Sequence, residues 1–500
     1  MKWLRKFRAL FDPVDLTTGS IYKKMILFVI PITLSLLFTQ LYHLADAAII
    51  GQTLSEAEIA GVNNSGALTF LVLEFGYGCT TGFSVIIAER IGAKDKEGAR
   101  KSLFTQLVLG VFVSIFMTAV SILALPYLLH LMGITPSATD ASMNAVYEAA
   151  TTYLLIIFGG SVFIVFYEMI AAILRAKGDS FIPFLILVAG TMLNVGLDLL
   201  FILVFHWGVA GSAIATVAAQ GLAALAAFIY AFKRYPDLRI HKEDTRVPWA
   251  TYARHLNSGI PMGLQFSILA IGMMLMQSMI NAFDILPDGT FIASLPSQIG
   301  YGAGCKVVNF LAVPLNGIGT GALAFIGQNV GAKNEDRIRK GFKAAMVIGT
   351  VLWAVGATIG LLLTINGAYQ YIFLSPSVIT PESIKYGNAY LWVSLPAEFF
   401  LMALFVTRNA LMGLEKPLWP LLCGFAELAV RAVLCLWVPI LINGGNPINS
   451  EAPILAYYSV VAADAIAWLV PPIICWIPCL KGFHQAVEKK SNIESLSERQ

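Results

Sequence analysis

Charge is scarce in this chain. Asp, Glu, Lys and Arg make up 13% of its 500 residues, against about 25% in a typical soluble protein. This excludes a disordered chain and a basic nucleic-acid binder. Cysteine is scarce as well. Cys79, Cys305, Cys423, Cys435, Cys475 and Cys479 are the only six, so the chain is not a secreted disulfide scaffold. All lie in or beside apolar runs and read as helix packing residues. Cys475 and Cys479 share a helix face, but no histidine or acid stands beside them, which argues against a metal site. The six histidines, His43, His130, His206, His241, His255 and His484, are scattered. Most fall near the ends of apolar runs or outside them. With no catalytic constellation, the expectation is a protein that is not an enzyme and needs no cofactor.

Apolar residues are abundant instead, at 57%. Runs of 20 or more recur from Met25 to Pro478, each long enough to cross the ~30 Å hydrocarbon core as a helix. Twelve spans are expected, at roughly 22–50, 57–84, 101–130, 145–174, 181–205, 209–232, 252–282, 296–328, 340–366, 384–412, 417–442 and 453–479. The chain opens with Lys2, Arg5, Lys6 and Arg8 on one helical face and Trp3, Leu4, Phe7, Leu10 and Phe11 on the other. That pattern suits a short helix on the membrane surface. The following run is too long for a signal peptide and lacks a cleavage site.

Basic residues set the expected topology. Of 33 Lys and Arg, 30 fall in the two termini or in the loops after even-numbered spans. The loops after odd spans hold only Lys385, and Lys306 and Arg431 fall inside spans. Positive charge marks the cytoplasmic side, so both termini are expected there. The chain also repeats itself. Gly92-Ala93-Lys94-Asp95 returns as Gly331-Ala332-Lys333-Asn334, and Ile30-Pro31 as Ile260-Pro261. The expected fold is an all-α integral membrane protein with two six-helix lobes related by a parallel repeat. Repeats of this kind are typical of transporters that rock around a central site. The expected parts are a surface segment (1–20), an N-terminal lobe (21–235), a linker (236–250), a C-terminal lobe (251–480) and a tail (481–500).

The repeated Gly-Ala-Lys-Asp/Asn after spans two and eight resembles the multidrug and toxic compound extrusion (MATE) transporters. So does Gln40-Leu41-Tyr42-His43-Leu44-Ala45-Asp46 in span one. Leu174-Arg175-Ala176-Lys177-Gly178-Asp179, followed by Pro183 and Asn194, is similar to the family's link between spans four and five. Glu427 and Arg431 look like its Glu-x-x-x-Arg in span eleven. The resemblance covers about Ile21 to Cys479. It implies export of organic compounds coupled to protons or sodium ions.

Carboxylates in hydrocarbon cost at least about 2.5–3 kcal/mol, so each needs a reason. The candidates are Asp46, Glu74, Glu168, Asp198, Glu398, Glu427 and Asp464. Asp46, Asp198, Asn194 and Thr216 fall at one level, ~8 to ~12 Å below the outer surface at 1.5 Å per residue. Their oxygens suit an alkali cation, and buried carboxylates suit proton carriage. The same four positions match the cation site of the family's N-terminal lobe, which implies a proton or Na+ there. The structural alternative is that Asn194 and Thr216 only join helices. In the second half Asp46 corresponds to Met276, and span seven offers Gln265 and Asn281 but no acid. Glu398 lacks an obvious partner, so a second cation site is not expected. Glu427 and Arg431 can pair at i,i+4, as a structural pair or a gate. Lys306 is expected to face a central cavity or an acid, with Glu74, Glu168 and Asp464 as possible partners or as attractors of cationic substrate. Pro31 matches the proline of the family's first helix and reads either as a kink or as a helix-start residue. Glu89 and Glu148 sit near span ends and are expected to be solvated.

The resulting expectation is a monomeric antiporter of the inner membrane. It would export cationic, amphipathic organic compounds by alternating access, with no nucleic-acid partner. A flippase for lipid-linked oligosaccharide is the alternative. It would need a wide cationic cavity, and only Lys306 and Arg431 lie within spans. No filter-like repeat marks an ion channel.

Overall fold

In a bilayer each backbone N–H and C=O must find its partner inside the chain, and a helix does this segment by segment. The computed structural model describes residues 13–132, 134–136, 141–292 and 294–497. The amphipathic pattern at Trp3–Phe11 lies outside the described residues. Among those described there is no strand, only one isolated bridge between Ile285 and Phe291.

The long helices are α1 (Ile21–Thr53), α2 (Glu56–Gly92), α3 (Lys96–Leu131), α4 (Ala141–Gly159), α5 (Ser161–Ala176), α6 (Phe181–Leu199), α7 (Gly208–Arg234), α8 (Trp249–Ala282), α9 (Pro296–Gly331), α10 (Glu335–Leu363), α11 (Pro381–Gly413), α12 (Leu418–Leu436) and α13 (Ile454–Ser497). Eleven described helices are long and apolar enough to cross a membrane, or twelve when α4 and α5 count as one broken span. Those two meet at a 46° bend. Thr118 of α3 donates to Phe158 O at 2.8 Å, a carbonyl next to the break. This polar contact supports the bend inside apolar surroundings.

Helix starts follow the local sequence. Ser55 and Glu58 form a reciprocal cap on α2, with Ser55 N donating to Glu58 Oε2 at 3.0 Å. Asp95 caps α3 by accepting from Gly98 N at 2.8 Å. Helix ends show the repeat. Lys94, Gly178, Lys333 and Glu415 all take the left-handed conformation, at φ of 58°, 84°, 55° and 57°. Each is followed by the same long back-bond. Asp95 N donates to Arg90 O, Asp179 N to Leu174 O, Asn334 N to Asn329 O and Lys416 N to Leu411 O, all at 2.9–3.0 Å. Such a turn satisfies the last carbonyls of a helix and stops it. It closes α2, α5, α9 and α11, the second, fourth, eighth and tenth spans.

The repeated glycines have a steric reason. A Cβ on Gly92 would lie 1.9 Å from Gln328 O, and one on Gly331 would lie 1.9 Å from Glu89 O. The ends of α2 and α9 cross at a distance that only glycine permits. Nearby, Val14 N donates to Gly178 O at 2.9 Å, and Leu16 is held by Gln328 and Asn329. Asp179 accepts from Tyr235 Oη at 2.7 Å and Tyr230 Oη at 2.9 Å, tying the α5–α6 turn to the end of α7. Burial pushes the Asp179 carboxyl above its usual range, against the opposing pull of these two donors.

The helices form two compact units. One comprises Met1–Ser267 with Gly327–Asn334, the other Ile268–Ile326 with Glu335–Gln500. The second has a core of Phe283, Tyr386 and Tyr457, whose rings meet edge-on or tilted at 4.7–6.4 Å. All six cysteines are free. Five of them are buried and Cys305 is half-buried, and Cys423 Sγ of α12 and Cys475 Sγ of α13 are 2.6 Å apart where those helices pack.

Candidate functional site

In the first unit, α1 supplies Asp46, α6 supplies Asn194 and Asp198 one turn apart, and α7 supplies Thr216. The structure brings these four together. The Asp46 and Asp198 carboxyl groups are in hydrogen-bonding contact. Asn194 Nδ2 donates to Thr216 Oγ1 at 3.4 Å. Asp198 is 0% exposed and Asn194 2%. Asp46 Oδ1 is buried and accepts no hydrogen bond. Two further residues belong here. Tyr42 lies one helical turn before Asp46, with its hydroxyl 3.3 Å from Thr216 Oγ1. Tyr153 of α4 lies within electrostatic reach of both carboxyls. Helical spacing from Asp46 could have flagged Tyr42. Nothing in the sequence near Tyr153 marks it.

The chemistry follows from these contacts. Two carboxyls that touch cannot both stay ionised unless a cation stands between them. The neighbours Tyr42, Tyr153, Asn194 and Thr216 are neutral, so they offer oxygen and nitrogen atoms but no positive charge. Just after Asp198 the helix widens over Leu200–Val204, with Phe205 N reaching back five residues to Leu200 O at 3.0 Å. Wide turns of this kind are frequent at functional sites. Among the described residues no group of three or more His, Cys, Asp and Glu side chains is placed to hold a metal ion. The donor set therefore suits a proton or a monovalent hard cation rather than a transition metal.

Elsewhere the structure pairs charges that the sequence left open. Glu168 of α5 faces Arg175 at 3.8 Å, so its cation is Arg175 rather than Lys306. Glu74 is half-buried on α2, and Tyr77 lies within electrostatic reach of Glu74, Glu168 and Arg175. Lys306 of α9 is exposed, and its Nζ lies 5.6 Å from the centre of the Phe373 ring, a cation–π contact. Glu427 and Arg431 do pair across one turn of α12, Nη1 to Oε2 at 3.4 Å. Asp464 of α13 joins them, accepting from Arg431 Nε at 2.8 Å. All three are at most 8% exposed. Glu398 of α11 is 1% exposed, and both its carboxyl oxygens are buried without a hydrogen bond. Glu148 is exposed, as expected. Glu89 is not: it is 1% exposed and ion-paired with Arg254 of α8. The expectation of a solvated Glu89 failed because its partner lies 165 residues away in sequence.

The family model described as MatE matches residues 31–200 and again residues 270–437. The chain belongs to the MatE family. A Bacillus subtilis protein named "Probable multidrug resistance protein YpnP" is 31% identical over 329 residues, 65% of this chain and 68% of its own. One from Thermotoga maritima, named "Probable multidrug resistance protein NorM", is 22% identical over 418 residues, 82% of this chain and 83% of its own. A solved structure described as the outward-facing conformation of a multidrug resistance MATE family transporter of the MOP superfamily matches with a TM-score of 0.80. It is 20% identical and covers 96% of this chain and 99% of its own.

The fold of this chain is therefore that of the MATE transporters, a multi-pass membrane architecture in which the family unit occurs twice. Within this MatE chain, Pro31 lies in the interior of α1 rather than at its start. Ser35 Oγ donates to its carbonyl at 2.9 Å, and Ser180 Oγ donates to Phe28 O at 2.8 Å. A proline here removes one helix bond in the first third of α1, and two serine hydroxyls serve the carbonyls around it.

Proposed function

We propose that this MatE protein is a cation-coupled antiporter that exports cationic, amphipathic organic compounds by alternating access. The observation that carries this reading is the buried contact between Asp46 and Asp198, beside Asn194 and Thr216. A proton or a sodium ion at this pair relieves the repulsion between its charges. A ligand drives a conformational change only through unequal affinity for the two states. The outward-open form is the one that loads, because an energised cell keeps both ions at higher activity outside. The names of the relatives support multidrug export as the physiological class.

Residues 21–235 and 251–480 form the two lobes in this reading, joined by the linker 236–250. Both termini are cytoplasmic, which the 30 of 33 basic residues support. The flippase alternative needs unpaired positive charge around phosphate groups. Arg431 already carries two carboxylates and Arg175 faces Glu168, which favours the antiporter. The deciding experiment is transport in proteoliposomes with pH and sodium gradients imposed separately. Export of a lipophilic cation that follows neither gradient refutes the proposal.

A further inference from the structure

The four matching turns align the halves. Helix α6 starts at Phe181 and α12 at Leu418, an offset of 237 residues. The left-handed residues before them, Gly178 and Glu415, have the same offset. At this offset the counterpart of Asn194 is Arg431. Asn194 reaches Thr216, eight residues into the next helix (Gly208 start), and Arg431 reaches Asp464, ten residues into the next helix (Ile454 start). The same contact between the fifth and sixth helices of each half is thus neutral in one half and ionic in the other.

The charges differ accordingly. In the first half two carboxyls meet among neutral side chains. In the second, Glu427 and Asp464 face Arg431, and Arg408 of α11 also acts on Glu427. Two negative charges meet two positive ones. The other titratable neighbours are Cys435 on α12, Cys305 and Tyr301 on α9, Tyr390 on α11, and Cys423 one turn before Glu427. All are neutral in their ordinary forms at pH 7. Gly272 leaves room for the guanidinium: a Cβ there would lie 3.0 Å from Arg431 Cδ.

We propose that Arg431 is a built-in cation, and that the second half contains a latent monovalent-cation site at Glu427 and Asp464 which Arg431 fills permanently. Removing the guanidinium leaves one net negative charge, so one proton or one sodium ion balances the site. Comparison with an exchangeable first site rests on the function proposed above, and the test separates the two ideas. In Asp46→Asn/Asp198→Asn protein, the melting temperature loses its response to sodium if the first site is the exchangeable one. Adding Arg431→Gln to that background restores a response over about a hundredfold range of NaCl at constant ionic strength. Choline chloride gives none, and lowering the pH substitutes for sodium.

A stable Arg431→Gln protein indifferent to both sodium and pH overturns the proposal, whatever the first site does. If Arg431→Gln does not fold, Arg431→Gln/Glu427→Gln/Asp464→Asn decides. Recovery of folding in this variant, in which both carboxylates and the guanidinium they face are removed together and only the Arg408 charge stays, shows that Arg431 serves as a countercharge and upholds the proposal. Failure to recover shows that the guanidinium is needed for its shape and refutes it.

Discussion

Asp46 and Asp198 should behave as one unit, and the double variant tests this. With two charges about 4 Å apart at an effective dielectric constant of about 20, their repulsion is about 4 kcal/mol. Relieving it gives a bound cation about three orders of magnitude in affinity. Asp46→Asn or Asp198→Asn removes the repulsion and with it most of the reason to bind a cation. Each single variant should therefore lose coupled export and the sodium- or proton-dependent rise in melting temperature. Asp46→Asn/Asp198→Asn should be no worse than either, so the interaction term of the double-mutant cycle nearly equals one single effect. The assay is efflux of a fluorescent lipophilic cation from proteoliposomes under an imposed gradient, with protein amount normalised. Substantial export left in one single variant and reduced further in the double indicates independent sites and defeats the reasoning. Retained coupling in Asp198→Asn alone would reduce Asp198 to a hydrogen-bonding partner that orients α6.

Cysteine at Asn446 should react with an impermeant thiol reagent in intact cells, whereas cysteine at Lys96 or Lys333 should react only after permeabilisation; labelling at Lys96 from outside reverses the topology. Arg254→Met takes the guanidinium away from the buried Glu89 carboxylate and should cost about 3–5 kcal/mol, while Glu89→Gln should cost less because Arg254 is only half-buried. The pair Glu89→Gln/Arg254→Met should recover part of the melting temperature, and strict additivity of the two losses counts against a coupled pair. In the linker, burial raises the Asp244 carboxyl, but the Arg100 guanidinium at 2.7 Å and the His241 N–H at 2.8 Å outweigh it and hold Asp244 below its usual range. A depressed carboxyl stabilises the fold above its unfolded pKa of about 3.9 and stops doing so as pH falls through its lower folded value. The melting-temperature gap between native and Asp244→Asn protein should thus be constant from pH 7 to about pH 5 and close at more acidic pH; a gap that already closes between pH 7 and about pH 5 counts against this account.

The spans were legible because apolar runs of this length have few alternatives. Half of the repeat was legible too. Gly-Ala-Lys-Asp and Gly-Ala-Lys-Asn share three letters, and both close a helix with a left-handed lysine. The other matching pair, at Gly178 and Glu415, shares the backbone but almost no sequence. A left-handed glutamate costs about 1–2 kcal/mol and leaves no compositional mark, so Glu415 was invisible as a turn signal. The break at Gly160 was hidden for a related reason. Glycine within an apolar run reads as a tolerated weak spot, and the supporting hydroxyl comes from Thr118 on another helix.

Depth along a helix is nearly linear in residue number, so residues on adjacent spans at equal depth have a fair chance of meeting. That arithmetic united Asp46, Asn194, Asp198 and Thr216. It had no means of choosing rotation about each helix axis, which decides what a side chain at that depth faces. Tyr153 stands at the carboxyl pair because α4 turns that face inward. Asp464, weighed as a partner for Lys306, faces Arg431 instead. The same limit explains why the halves looked more different than they are. Aligned through Pro31 and Pro261, Asp46 found only Met276, and the second half appeared to lack a site. Aligned through the turns before α6 and α12, Asn194 finds Arg431. A position that is neutral in one half and cationic in the other keeps its side-chain contact with the next helix and, on the inference above, changes only who supplies the positive charge. On the function proposed above, such a change lets the two halves share a fold while only one of them remains open to exchangeable ions.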